Sequence, residues 1–213
     1  MVRIVEHNDW VIITLLLCGF AYALMFIFLL RDIRLKDFFL QEYADSSNNL
    51  LSWIVTSVVF VALLSTLVSQ YIPLVPKFLS DIHPFGYEIN KFGFTFLCIS
   101  AFYFFRTLFS YLFYASVGNS RKWNLFYFTA TKFYFGLTLL LSPLVFTHYY
   151  FDIDHSKALH IYALIYIIIY VFKIVFYFFH KNQILPVRWY YKFLYICTLQ
   201  IAPLFALWRL LFF

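Results

Sequence analysis

Carboxylate is the scarcest chemistry in this chain: ten Asp and Glu in 213 residues, none of them inside a long apolar run. Charge of either sign is thin, at 12% of residues against 64% hydrophobic and 25% aromatic, with a mean hydropathy of +0.81. So little polar surface cannot cover a water-soluble core, and a soluble fold is excluded. The three cysteines, Cys18, Cys98 and Cys197, lie in apolar segments without any CxxC spacing, and read as buried small residues rather than as a disulfide framework. No GxSxG, HExxH or P-loop sequence occurs, so the usual sequence signs of a hydrolase, zinc protease or nucleotide enzyme are missing. The segment before the first apolar run carries Glu6 and Asp9 against Arg3 and lacks the basic start of a signal peptide, so the first helix is expected to stay.

What is present is a succession of apolar runs. The chain has room for about six spans of ~20 residues with short connections. The fold class is therefore an all-α polytopic membrane bundle, a single transmembrane domain over 1–213, with spans near 10–30, 50–72, 92–117, 125–150, 158–180 and 190–211. Residues 32–43 mix Ile33, Leu35, Phe38, Phe39 and Leu40 with charges, a composition suited to a helix lying in the interface plane. Ser46, Ser47, Asn48 and Asn49 end it and can cap the second span. That span holds Ser52, Thr56, Ser57, Ser65, Thr66 and Ser69, small hydroxyls that permit close helix approach. Pro73, Pro76, Pro84 and Gly86 break the next connection, where Phe78, Ile82, Phe85 and Tyr87 are expected to rest on the membrane surface. Residues 118–123 read as a short return. Pro143 and Pro203 each remove an N–H from a helix interior and predict kinks.

Basic residues set the orientation. The connections after spans one, three and five collect Arg31, Arg34, Lys36, Arg121, Lys122, Lys181, Arg188 and Lys192, and the three intramembrane cations lie nearest that side. The opposite side keeps five basic residues and six of the ten acids, so the positive-inside rule puts both termini outside. The net charge of +6 is scattered over helix ends rather than gathered on one face, so no nucleic-acid partner is expected.

Three cations sit inside the spans without an acid to match. By rise per residue, Lys132 and Lys173 lie roughly 10 Å from the cytoplasmic end, and Arg106 and Gln200 roughly 15 Å. A charge near the bilayer centre costs from about 3 to more than 10 kcal/mol, so these side chains face the interior or reach phosphate at the surface. Snorkelling stands as the alternative for Lys132 and Lys173, less so for the deeper Arg106. Pro203 frees the Leu199 carbonyl beside Gln200 and adds acceptors at that depth. Tyr162, Tyr166, Tyr170 and Tyr177 fall on nearly one face of the fifth span, either as packing or as a hydroxyl ladder to Lys173. The candidate polar core, or site for an anion or a partner's acid, is Arg106, Lys132, Lys173, Gln200, Tyr166 and Tyr170. His148, Asp152, Asp154 and His155, with His160 nearby, offer imidazole and carboxylate to a metal, but their spacing matches no ligand motif, and no metal or other cofactor is expected.

The closing stretch FLYICTLQIAPLFALWRLL resembles the C-terminal signature of an uncharacterised family of multi-pass inner-membrane proteins from Bacteroidota: Leu-Tyr-x-Cys, an acidic Glu, Ile and Pro-Leu. YFFRTLFSYLFYASVG, with Arg106, and KFYFGLTLLLSPLVF, with Lys132, Gly136 and Pro143, are similar to it more weakly. The resemblance implies a bacterial inner-membrane location and no particular reaction. Gln200 stands where that signature has Glu, which removes a carboxylate able to counter the cations or relay protons. The function expected from all this is a non-enzymatic subunit or assembly factor of an inner-membrane complex, in protein export or insertion, with membrane lipids and other integral subunits as partners. The alternative is a binder or transporter of an anionic lipid or metabolite, and a membrane-embedded enzyme is the third reading.

Overall fold

The computed structural model describes residues 9–31, 33–43, 46, 48–72, 90–117, 120–151, 153–179, 184–186 and 188–212. The prolines, Gly86 and apolar residues of the connection after the second span lie outside these, as do Ser47, Gly118, Asp152 and Lys181. Six helices are long and apolar enough to cross a membrane, and no strand occurs among the described residues. The fold is all-α.

α1 (Asp9–Leu24) opens with an acid in its first turn, where the helix dipole favours it, and widens into a π-helical turn, Met25–Leu29, closed by the Leu30 N–H on the Met25 carbonyl at 3.1 Å. α2 (Leu35–Leu40) is short and turns Phe38 into the protein, against Phe26 and Phe135. α3 (Asn49–Ser69) follows Asn48, which takes the left-handed conformation at φ 55° that asparagine tolerates. Its side chain does not cap α3; it reaches back to the Leu29 carbonyl at 3.4 Å and ties the start of α3 to the end of α1.

α3 is the hub. Ser52, Thr56, Ser65, Thr66 and Ser69 are buried, and the last four satisfy their hydroxyls on carbonyls three or four residues back, at 2.6–2.9 Å. With these four hydroxyls closed locally, and Ser52 Oγ without a hydrogen-bond partner among the described residues, the helix packs against α1, α4 (Lys91–Ser116) and α5 (Ser120–Tyr150). Half of the most apolar stretch is buried in α3 and in α5, against 11% in α6 (His155–Phe179).

α5 begins earlier than the hydropathy suggests, since residues 120–123, expected in a return, are its first turn. It also runs unbroken past Pro143. The last span is composite: α7 (Trp189–Leu194), a π-helical segment Tyr195–Ile201, and α8 (Ala202–Phe212). Pro203 is the second residue of α8, in a first turn where no N–H is required, directly after the Ala202 N–H has closed a wide turn on the Cys197 carbonyl. The chain thus absorbs this proline in a change of helical register.

Candidate functional site: a cationic centre without a carboxylate

Four elements meet around one phenol. Arg106 comes from α4, Tyr134 from α5, Lys173 from α6 and Gln200 from the π-helical segment of the last span. Arg106, Lys173 and Gln200 are 8%, 4% and 3% exposed. Arg106 Nη1 donates to the Tyr134 hydroxyl at 3.0 Å, and Lys173 Nζ donates to the same oxygen at 3.0 Å. The two nitrogens therefore lie no more than about 6 Å apart, where like unit charges repel by about 3 kcal/mol at an effective dielectric of 20.

The remaining partners are neutral. Arg106 Nη2 donates to Gln200 Oε1, and Gln200 Nε2 passes the chain on to the Tyr195 hydroxyl at 3.0 Å, with Ser110 Oγ 3.5 Å from that oxygen. The π-helical register turns both Tyr195 and Gln200 inward. Aromatic faces supply further negative potential: Lys173 Nζ is 4.7 Å from the Tyr134 centroid and 5.6 Å from that of Tyr177, and the Arg106 guanidinium carbon is 5.9 Å from Tyr103. No carboxylate among the described residues bonds either cation. The buried Tyr170 and Tyr177 hydroxyls beside this centre also lack hydrogen-bond partners among the described residues, each leaving a donor and an acceptor open. Tyr166 and Tyr170, stacked with centroids 6.4 Å apart, line a chamber of ≈ 20 Å³ with Arg106, Tyr134 and Lys173, about the room of one water or one small group.

Lys132 does not join this centre. Two residues from Tyr134, it is about 200° around the helix, and its ammonium donates to the Phe39 carbonyl at 3.2 Å and to the Gln41 carbonyl. It caps the C-terminal end of α2, where carbonyls are unsatisfied and the dipole favours a cation. Gly136, one turn on, faces Phe39, and a Cβ built there would meet that ring in ordinary van der Waals contact at 3.9 Å.

At the far end of α5, His148 and His155 come together with ring centroids 5.1 Å apart. His148 Nδ1 sits between the hydroxyls of Tyr162 (3.4 Å) and Tyr71 (3.5 Å), while its Nε2 is buried without a partner. Asp154 turns away from the histidines to the start of α6, accepting from the Ser156 N–H at 3.1 Å and facing Lys157 at 3.5 Å. Among the described residues no three metal-ligating side chains gather.

Tyr134, the pivot of the centre, is absent from the residues singled out in the sequence. Nothing sets it apart there from the other tyrosines, eighteen in all, and the neighbouring Lys132 is the more conspicuous residue.

Fold and site together define a multi-pass membrane protein whose helices enclose a cationic centre to which no carboxylate among the described residues is bonded. The chain belongs to the family described as Domain of unknown function (DUF4271), whose model matches residues 11–211. No curated protein and no solved structure matches it.

Proposed function

We propose that the protein is a membrane-embedded binder of an anionic lipid or metabolite, whose acidic group neutralises Arg106 and Lys173. One observation carries this reading: two buried cations donate to a single phenol oxygen, and no carboxylate among the described residues bonds either of them. An intramembrane charge pair of like sign is sustained by a counter-ion, and the unpartnered hydroxyls beside it are donors that an oxyanion would satisfy. The resemblance of the closing signature supports a bacterial inner membrane, in Bacteroidota, with the basic connections in the cytoplasm. Native mass spectrometry of the protein in lipid nanodiscs tests the reading. A retained anion is expected in the wild type and its loss in Arg106→Gln with Lys173→Met; a wild type that retains none overturns it.

A second reading has its own observation. α6 buries 11% of its most apolar stretch and presents Phe172 and Phe176 stacked on its outer face, 61% and 40% exposed. This supports a non-enzymatic subunit or assembly factor of an inner-membrane complex, in protein export or insertion, docked through α6 with the acid supplied by a neighbouring helix. Copurification of a fixed integral partner through α6, lost in Phe172→Ala with Phe176→Ala, is its test. A protein that stays monomeric in mild detergent with an anion bound rules it out.

A further inference from the structure

Arg106 is reachable from a second side. A cleft with ≈ 260 Å³ of room runs between α3, α4 and α5, and it shares Tyr103, Arg106 and Tyr134 with the small chamber. Its rim is formed by Ile54, Val58 and Phe104, which are 42%, 55% and 65% exposed on apolar helix surfaces. On a membrane-spanning bundle such a rim opens sideways, toward lipid rather than water. Inside, the walls are mainly aromatic and aliphatic, with Trp53, Trp123 and Phe126 among them, and hydroxyls at Ser57, Ser100 and Thr107. From Phe96 to Thr107 the α4 wall rises about 16 Å, half of a ~30 Å hydrocarbon core.

These features narrow the ligand. The room, ≈ 260 Å³, falls just below the ~300–1,000 Å³ usual for small-molecule sites, which suits one acyl chain and not two. The cleft offers one fixed charge, a guanidinium that gives one N–H to Tyr134 and one to Gln200 out of its five donors, and a planar fork of this kind matches a two-oxygen head. Depth decides between acids. Arg106 lies about 15 Å from the nearer end of α4, so a head must cross that much hydrocarbon. A carboxylic acid, with an ordinary pKa of about 4, can cross as the neutral species and ionise beside the arginine, whereas a phosphate or sulfonate crosses charged at a cost of several kcal/mol.

Resting on the anion-binding reading above, we propose that this cleft takes a single-chain carboxylic acid of the fatty-acid type directly from the bilayer, its tail between α3, α4 and α5 and its carboxylate on Arg106. Trp53 and Trp123 make the site observable, since bromine quenches indole fluorescence only at contact. Nanodiscs holding the full chain would be titrated with dibromostearic acid, its methyl ester and a brominated alkyl sulfonate of equal length. The expected result is saturable quenching by the acid, reversed by oleic acid, with the ester and the sulfonate weaker by about tenfold or more. Arg106→Gln and the cleft-filling Ser57→Phe should each weaken the acid by a similar factor; Val58→Phe at the rim replaces Ser57→Phe should that variant fail to fold, as judged by circular dichroism and gel filtration. Equal quenching by the ester or the sulfonate overturns the proposal. Loss in Arg106→Gln with none in the cleft variants overturns the tail site and leaves the anion reading standing. No effect of any variant, with no anion retained in native mass spectrometry, removes both.

Discussion

Tyr134 accepts from two cations through one oxygen, and that makes it the residue on which the centre depends. Tyr134→Phe keeps the ring packing against Phe60 and Tyr103 and removes only the hydroxyl, and with it the acceptor that both cations share. Breaking a buried charged network in this way costs about 3 kcal/mol or more, so the thermal midpoint in nanodiscs should fall by roughly 5 °C or more. Adding Lys173→Met should recover part of that loss, because it removes one of the stranded charges; strict additivity of the two changes would show that the residues are not coupled. Gln200→Glu is the complementary change. It places a carboxylate against Arg106 where the amide now sits, so it should raise the thermal midpoint and weaken retention of an external anion by about tenfold. At this scale the sequence is legible wherever a residue is out of keeping with its run. Arg106, Lys173 and Gln200 stand out against apolar neighbours, whereas Tyr134 does not, and Lys132 stands out equally though its charge serves the end of α2.

Among the elements, the last span carries the least predictable feature. Hydropathy places a helix near 190–211 and Pro203 announces a disturbance, but the form it takes is a wide turn over Tyr195–Ile201, set by tertiary packing of Tyr195 and Gln200. A wide turn holds surplus residue relative to α-helical winding. Deleting the exposed Thr198 should let this segment rewind as α-helix, with little change in far-ultraviolet circular dichroism, while turning Gln200 by about 100° relative to one flank and abolishing its bond to Arg106. Anion retention by native mass spectrometry is the readout, and an unchanged value would show that the register is immaterial. α5 carries its proline differently: Pro143 predicts a kink, and the helix runs on through it while packed on α3.

For the whole molecule, six apolar runs lead directly to six helices, because a bilayer-length helix closes its backbone hydrogen bonds within a single apolar run. Which helices touch is not written in hydropathy. The buried hydroxyls of α3 hint at its role as hub, while the meeting of α4, α5, α6 and the last span on one phenol depends on side-chain reach across the bundle. Orientation is tested here as well. With odd-numbered connections in the cytoplasm, an impermeant maleimide applied to spheroplasts should label Lys157→Cys, 83% exposed in its side chain, and leave Lys36→Cys unlabelled until the membrane is opened; the reverse pattern inverts the topology. α6 brings out what the surroundings contribute. It is held at one end by Tyr162 on His148 and further along by Lys173 on Tyr134, and between these two stations Leu164, Ile167, Ile168, Val171 and Phe172 are exposed among the described residues. Where acyl chains cover that face, leaflet thickness is expected to bear on the tilt of this rod, and through Lys173 on the cationic centre.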